Sequence, residues 1–375
     1  MSVDFLSLPF LYFNKKNGLL LNSQKIKLTI GSRIKQPHRS NVKTAMKILE
    51  KKPYLIFNPG SGKKRGIEYS RNILSEWNGQ FKIPLTVIPT KSIDDIKSLS
   101  AEYYKRENFC IFMGGDGTLS LALQGIAEKN GFSKLRDPLA FLPCGTGNSY
   151  LRDFGISNFE EGKSLLFEAV SNNSIRNSDA GIIVSNSKIG SKKNIHEKKK
   201  RKEKETTTKK SESRIFCNIV SFGLAADIAS LAEKMRFMGS TSYTIATLIK
   251  LYSHKMKSYS IQYGKSVSEE CLCDFISIAN SKYTGGAMLI APPVNFNDGK
   301  LFFMRPSIGN RLDLLALFPK IFTGSHLNHP KVLSRFVTEI SIQYENNILF
   351  VVDGELEEYQ NPEIRVLPGY FPICI

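Results

Sequence analysis

The amino-acid sequence predicts a two-part chain, an α/β half followed by a mainly antiparallel β half. Three observations carry that expectation. From Tyr54 onward, short apolar runs alternate with stretches of helical spacing. Three of those runs lead into glycine-rich segments. After about Asp179 the pattern shifts to β-rich runs separated by turns.

In the first half, Tyr54-Leu-Ile-Phe57 reads as a buried strand ending in the turn Asn58-Pro-Gly-Ser-Gly62. Residues 63–77 have helical spacing, Leu85-Thr-Val-Ile88 is the next strand, and a helix is expected over 93–105. Phe109-Cys-Ile-Phe-Met113 then leads into Gly114-Gly-Asp-Gly117, residues 119–129 are helical, and Leu139-Ala-Phe-Leu142 leads into Pro143-Cys-Gly-Thr-Gly147. Strands that alternate with helices form a parallel sheet, and ligands of such sheets bind at the C-terminal ends of strands. In the second half, Ile182-Ile-Val184, Ile215-Phe-Cys-Asn-Ile-Val220, Phe275-Ile-Ser-Ile-Ala279, Leu301-Phe-Phe-Met304, Glu339-Ile-Ser-Ile342 and Ile348-Leu-Phe-Val-Val352 read as strands. Only 225–237 and 242–252 have helical spacing there. The domains expected are a basic arm (1–52), an α/β domain (53–176), a β-rich domain (177–358) and a C-terminal segment (359–375) that can return to the first domain.

The net charge of +18 is unevenly spread. Residues 1–52 carry +9 and residues 188–214 carry +8, so the rest of the chain is nearly neutral. Two basic segments on a neutral body suit attraction to a polyanionic surface, either anionic lipid or nucleic acid, and could equally be solvated tails. The tract 187–214 is low in complexity, cannot bury a core, and reads as a long disordered loop of a hairpin. No run of about 18 apolar residues is present, and the apolar start lacks the flanks of a secretory signal. The six cysteines are scattered through apolar runs, which suits buried, reduced thiols in a cytoplasmic protein. The five histidines suggest no catalytic cluster; His326 and His329 have a loop-like setting.

The glycine-rich segments carry the chemistry. Glycines let backbone amides approach an anion, and a following helix adds its N-terminal dipole. Asn58-Pro-Gly-Ser-Gly62 lacks the spacing of a Walker A loop and is a weak signal alone. Gly114-Gly-Asp-Gly-Thr118 is stronger, because Asp116 among amide-exposing glycines can hold Mg²⁺ or accept a proton from an attacking hydroxyl. Pro143-Cys-Gly-Thr-Gly-Asn148 repeats the pattern at a third strand end, which makes a nucleotide cleft credible. Val352-Asp-Gly-Glu355 ends a strand on a turn that would present Asp353 and Glu355 at a domain edge; alone it reads rather as an ordinary type I′ hairpin with solvated acids.

Taken in order, Asn58-Pro-Gly-Ser-Gly62, Gly114-Gly-Asp-Gly-Thr118 and Gly145-Thr-Gly-Asn148 resemble the diacylglycerol kinase catalytic domain, whose superfamily includes sphingosine, ceramide and bacterial lipid kinases. Asn177-Ser-Asp-Ala-Gly181, Asn218-Ile-Val-Ser-Phe-Gly223, Gly285-Gly286, Ala291-Pro292, Asn297-Asp-Gly299 and Val352-Asp-Gly-Glu355 extend the resemblance to the second half. It implies a phosphofructokinase- and NAD-kinase-like α/β domain joined to an antiparallel β-sandwich, with ATP between them. It also implies nucleotide contacts from Asn58, Pro59, Gly60, Ser61, Gly62, Thr90, Gly114, Gly115, Gly117, Thr118, Gly145 and Thr146. Glu355 would be the proton acceptor, with Asp116 the other acid able to activate the hydroxyl. Asp298 would hold Mg²⁺ with the carbonyls of Asn295 and Lys300, and Asp179 would face the substrate hydroxyl. The activity implied is ATP-dependent phosphorylation of a lipid alcohol, diacylglycerol first and a sphingoid base or ceramide second, by a cytoplasmic enzyme peripheral to the membrane. A soluble kinase of NAD or sugar phosphates, and a non-catalytic lipid- or nucleic-acid-binding protein on the same fold, are the rivals. Two positions depart from the bacterial pattern: Ser149 stands where an Asp is usual, and Leu121 where a Glu is.

Overall fold

The computed structural model describes residues 47–375 except 93, 146, 186–211, 236–241 and 267. Most of the basic arm and nearly all of the basic tract lie outside the described residues.

The first half winds β1 (Lys52–Phe57), α1 (Ser61–Lys64), α2 (Gly66–Gln80), β2 (Thr86–Pro89), α3 (Asp95–Tyr103), β3 (Asn108–Gly114), α4 (Asp116–Lys129), β4 (Leu139–Pro143), α5 (Ser149–Arg152) and α6 (Phe159–Asn172). The four strands are parallel in the order β2-β1-β3-β4. Alternation along each strand sorts side chains to two faces. Ile56, Phe112 and Phe141 meet Leu119 and Leu123 of α4 on one face. Leu55, Phe57, Ile111 and Met113 meet Trp77 of α2 and Phe167 of α6 on the other. Every residue of β3 is buried, as the continuous apolar run requires of a strand covered on both sides.

The second half comprises β5 (Ile175–Ser185), β6 (Glu212–Phe216), β7 (Ile219–Gly223), α7 (Leu224–Lys234), α8 (Ser242–Ser253), β8 (Lys257–Tyr263), β9 (Glu269–Cys273), β10 (Phe275–Ala279), the short β11 (Tyr283–Thr284) and β12 (Met288–Leu289), β13 (Leu301–Pro306) and α9 (Arg311–Leu317). It ends with β14 (Val332–Val337), β15 (Glu339–Gln343), β16 (Ile348–Val352), β17 (Glu355–Tyr359) and β18 (Glu363–Cys374). An antiparallel sheet, β14-β13-β10-β7-β16-β17, faces β5, β6, β8, β9, β15 and β18 across a core that includes Phe216, Phe222, Tyr259, Phe303 and Phe350. This is the fold class the sequence predicts, an α/β half and an antiparallel sandwich.

The two halves share a sheet. Near its end β18 runs parallel to β4, with Ile373 opposite Leu139, while its first residues pair antiparallel with β15. Along its length it pairs with β5, with an irregularity between Leu367 and Phe371. Strands β5 and β6 are antiparallel neighbours with Ser185 opposite Glu212, so the basic tract leaves and re-enters at one end of a hairpin. Four details differ from the sequence reading. The run 215–220 is two strands broken at Cys217-Asn218, the second half holds a third helix in α9, α6 fills the stretch before β5, and residues 212–214, expected in the disordered loop, open β6 with Arg214 buried. All six cysteines are buried and free.

Candidate active site

The glycine loops form one continuous ledge at the C-terminal ends of β1, β3 and β4. In the first, Asn58 Oδ1 accepts the Gly60 amide at 2.8 Å and the Asn58 carbonyl accepts that of Ser61 at 3.0 Å. A Cβ on Gly62 would stand 2.4 Å from the Cys144 carbonyl oxygen, so this loop lies directly on the third one. Beside it, the Thr90 amide donates to the Phe57 carbonyl at 2.9 Å, while its buried Oγ1 has no hydrogen-bond partner among the described residues. A buried hydroxyl without a partner is costly unless a ligand or water completes it.

Between the second and third loops the backbones touch. A Cβ on Gly145 would come within 2.5 Å of Gly115 Cα, and the Gly114 carbonyl accepts the amides of Cys144 (2.7 Å) and Gly145 (3.2 Å). Only glycines allow that approach. Gly117 has open space around its Cα, and Thr118 is buried with its amide on the Gly115 carbonyl at 2.9 Å. Thr146 lies outside the described residues. Asp116, the first residue of α4, accepts the amides of Ser149 (2.9 Å) and Tyr150 (3.1 Å) at the start of α5. Gly114, Gly115, Asp116, Thr118 and Asn148 line a small cavity there. Both carboxylate oxygens of Asp116 are therefore engaged in holding the third loop.

Ser149 and Asp153 clasp this ledge to the second half. Ser149 Oγ accepts the Gly286 amide at 3.0 Å, and Asp153 accepts the Lys282 amide at 3.1 and 3.2 Å. Burial pushes the Asp153 carboxyl up to about 7, against the opposing pull of the Lys282 amide. Asp153 was not singled out from sequence, because the loop that buries it lies some 130 residues further along. Leu121 packs against the α/β core.

In the second half, Asp179 of β5 is buried and receives the amides of Gly299 (2.6 Å) and Gly369, while its own amide donates to the Phe296 carbonyl at 2.7 Å. Burial raises its carboxyl; the two amides lower it, and nearby Asp298 raises it again. In the exposed 295–300 loop, Asp298 Oδ1 accepts the Lys300 amide at 3.0 Å and the Asn295 carbonyl accepts the Asp298 amide at 3.4 Å. One carboxylate with main-chain carbonyls is a hard-oxygen donor set that suits Mg²⁺. No group of three or more His, Cys, Asp or Glu side chains able to hold a metal exists among the described residues.

The Asp-Gly-Glu turn is a two-residue hairpin with Val352 opposite Glu355, Asp353 at φ 48° and Gly354 at φ 93°, the geometry of type I′. The two acids have opposite fates. Asp353 is not presented at an edge: it is buried and accepts the amides of Cys217 (2.8 Å), Asn218 (2.9 Å) and Ile219 (3.0 Å). Its carboxyl is raised by burial and lowered by those amides and by Arg214. Glu355 is half-buried, and its carboxylate has no hydrogen bond among the described residues. The hairpin is fastened to the glycine-loop helix by Arg214, buried in β6, which donates to Glu357 Oε1 (2.8 Å) and to Ser120 Oγ of α4 (3.0 Å). The buried Cys217 thiol is raised by burial and by Asp353 and Asp116, against the opposing pull of Arg214.

Glycine loops, a clamped hairpin carrying an acid, and a sandwich that shares a sheet with the loop domain together define a phosphotransferase of the two-domain kinase type. The diacylglycerol kinase catalytic domain matches residues 52–183, and the YegS C-terminal NAD kinase beta sandwich-like domain matches residues 218–375. By these two matches, which together span most of its length, the chain carries a diacylglycerol kinase catalytic domain at 52–183 and is a phosphotransferase with an alcohol group as acceptor. The diacylglycerol kinase of Mycobacterium tuberculosis (strain ATCC 25618 / H37Rv) is 23% identical over 317 residues, 84% of this chain and 92% of that protein. That of Staphylococcus aureus (strain MRSA252) is 25% identical over 312 residues, covering 82% and 87%. A crystal structure of a diacylglycerol kinase from Bacillus anthracis str. Sterne shares the fold at TM-score 0.59 and 18% identity, covering 87% of this chain and 96% of that one. The crystal structure of a putative diacylglycerol kinase from the same organism reaches TM-score 0.67 at 21% identity, covering 88% and 97%.

Proposed function

We propose that this protein transfers the γ-phosphoryl group of ATP to the hydroxyl of a membrane lipid, diacylglycerol before a sphingoid base or ceramide. The observation that carries this is Glu355, a half-buried carboxylate without a hydrogen bond among the described residues, two residues before Glu357, which Arg214 ties to the helix that follows the second glycine loop. Phosphoryl transfer needs little covalent work from a protein beyond placing and neutralising charge and orienting a base. Backbone amides of the three loops receive the phosphates, and the Thr90 hydroxyl gains a partner when the nucleotide is bound. Glu355 takes the proton from the lipid hydroxyl, while Asp116 keeps the second and third loops in register and Asp179 holds the acceptor-side loop. Mg²⁺, held near Asp298 with the carbonyls of Asn295 and Lys300, supplies countercharge when bound. No helix among the described residues is long and apolar enough to cross a membrane, and the enzyme meets its substrate peripherally.

The test is a panel of acceptors with labelled ATP: diacylglycerol, sphingosine and ceramide in mixed micelles, with NAD and sugar phosphates in solution. Diacylglycerol is expected to be labelled most rapidly. Labelling of a soluble acceptor but no lipid would overturn the proposal, as would labelling of none while ATP still binds.

A further inference from the structure

Two helices of the second half carry apolar side chains on the face turned away from the body. In α8, Ala246 and Leu251 pack inward, yet Leu248 and Tyr252 are 53% and 77% exposed. In α9, Leu314 and Leu317 pack inward, yet Leu312 and Leu315 are 74% and 43% exposed. Leu248, Tyr252, Leu312 and Leu315 also line one groove of about 380 Å³ between the helices, closed by Arg311 over the Tyr252 ring at 5.1 Å. Phe318 and Phe322, in the turn after α9, extend the surface with rings 6.0 Å apart. Single exposed leucines are ordinary, but a contiguous patch of this kind marks a contact surface.

Its charge selects the partner. Residues 242–256 and 310–323 hold Lys250, Lys255, Arg311 and Lys320 against Asp313 alone. Large apolar and aromatic side chains on segments whose charges are mainly cationic, with Arg311 at the groove itself, match the interface of an anionic bilayer, where stems and rings enter the acyl boundary and cations stay at the headgroups. The location agrees. Ile321 shares a small core with Ile290, and residues 288–290 lead back to Gly286, whose amide is on Ser149 of the third glycine loop. We infer that the α8–α9 face is the surface by which this protein docks on anionic membranes. The choice of a bilayer as partner rests on the lipid-kinase reading; the patch itself does not.

The inference is tested on the full chain with Leu312→Glu/Leu315→Glu and, separately, Tyr252→Glu, all at exposed positions. Co-sedimentation with phosphatidylcholine–phosphatidylglycerol vesicles, without ATP, is expected to weaken at least about tenfold in each. Lys320→Gln with Lys255→Gln should instead flatten the salt dependence of binding. Phosphorylation of diacylglycerol dispersed in neutral detergent should stay near the wild-type rate, which separates loss of docking from loss of the kinase reading. Vesicle binding unchanged by the glutamates would overturn the inference, as would a wild-type protein that ignores vesicles. So would light scattering that shows a dimer which the same glutamates dissociate, since the face would then join two copies of the chain.

Discussion

The glycine-loop region and the Asp-Gly-Glu hairpin handle their acids differently. In the loops, Asp116 has both oxygens filled by the amides of Ser149 and Tyr150. In the hairpin, Asp353 is filled by three amides, while Glu355, two residues on, keeps its oxygens free among the described residues. An acid embedded in a motif is thus mostly a fastener for loops that have no regular structure of their own. In the mechanism proposed above, proton transfer falls to the acid that no amide saturates.

The largest effect expected is at Glu355. Glu355→Gln should lower phosphorylation by at least about a hundredfold while ATP affinity, read by calorimetry, changes only a few-fold. Loss of ATP affinity would place Glu355 among the fasteners. Asp116→Asn should also cost about a hundredfold in turnover, because the amide keeps one acceptor and loses the other, loosening the third loop. Here the nucleotide affinity should fall together with the rate, and a near-normal rate would remove Asp116 from the working site. Asp353→Ala leaves three buried amides without an acceptor and should destabilise the fold by about 3 kcal/mol, read in a denaturant titration. A variant as stable as wild type would show that the turn does not depend on those bonds.

The smallest effect concerns pH. The folded Asp153 carboxyl, at about 7, lies above its ordinary value of 3.8, so the folded state binds this proton more tightly than the unfolded chain does. Its contribution to stability is complete below about pH 4 and is lost as pH rises through 7. Relative to Asp153→Asn, the wild-type thermal midpoint should therefore fall between pH 4 and 8. Asp179 and Asp353 are present in both proteins and cancel. Parallel curves would show that Asp153 is not perturbed.

Much of the fold was legible because β1, β3 and β4 are apolar runs bounded by glycine loops, and both faces of that sheet must be covered. The stretch that forms α6 carried a signal that was passed over: Asn158 caps the helix by accepting the Glu161 amide at 3.0 Å, and Glu161 returns a bond to the Ser157 amide. The break in 215–220 had no local signal. It exists because Asp353, some 135 residues away, draws the amides of Cys217, Asn218 and Ile219 toward itself. The motifs singled out the site's acids but not their division of labour, since burial and amide partners come from strands distant in sequence. Asp153 and Arg214 carry no local sequence signal for the same reason.

The last strand has a consequence for biosynthesis. β4 is buried along its whole length, yet one of its two neighbours is β18, and Tyr370, Phe371 and Ile373 belong to the same core as Phe112 and Phe141. Until residues 363–374 have been made, the α/β half presents an apolar sheet edge with nothing to pair it. At roughly 5–20 residues per second, that edge waits on the order of ten seconds or more after β4 is complete. The nascent chain therefore cannot finish its first domain before its second, and a chaperone or the ribosome surface has reason to shield β4 in the interval.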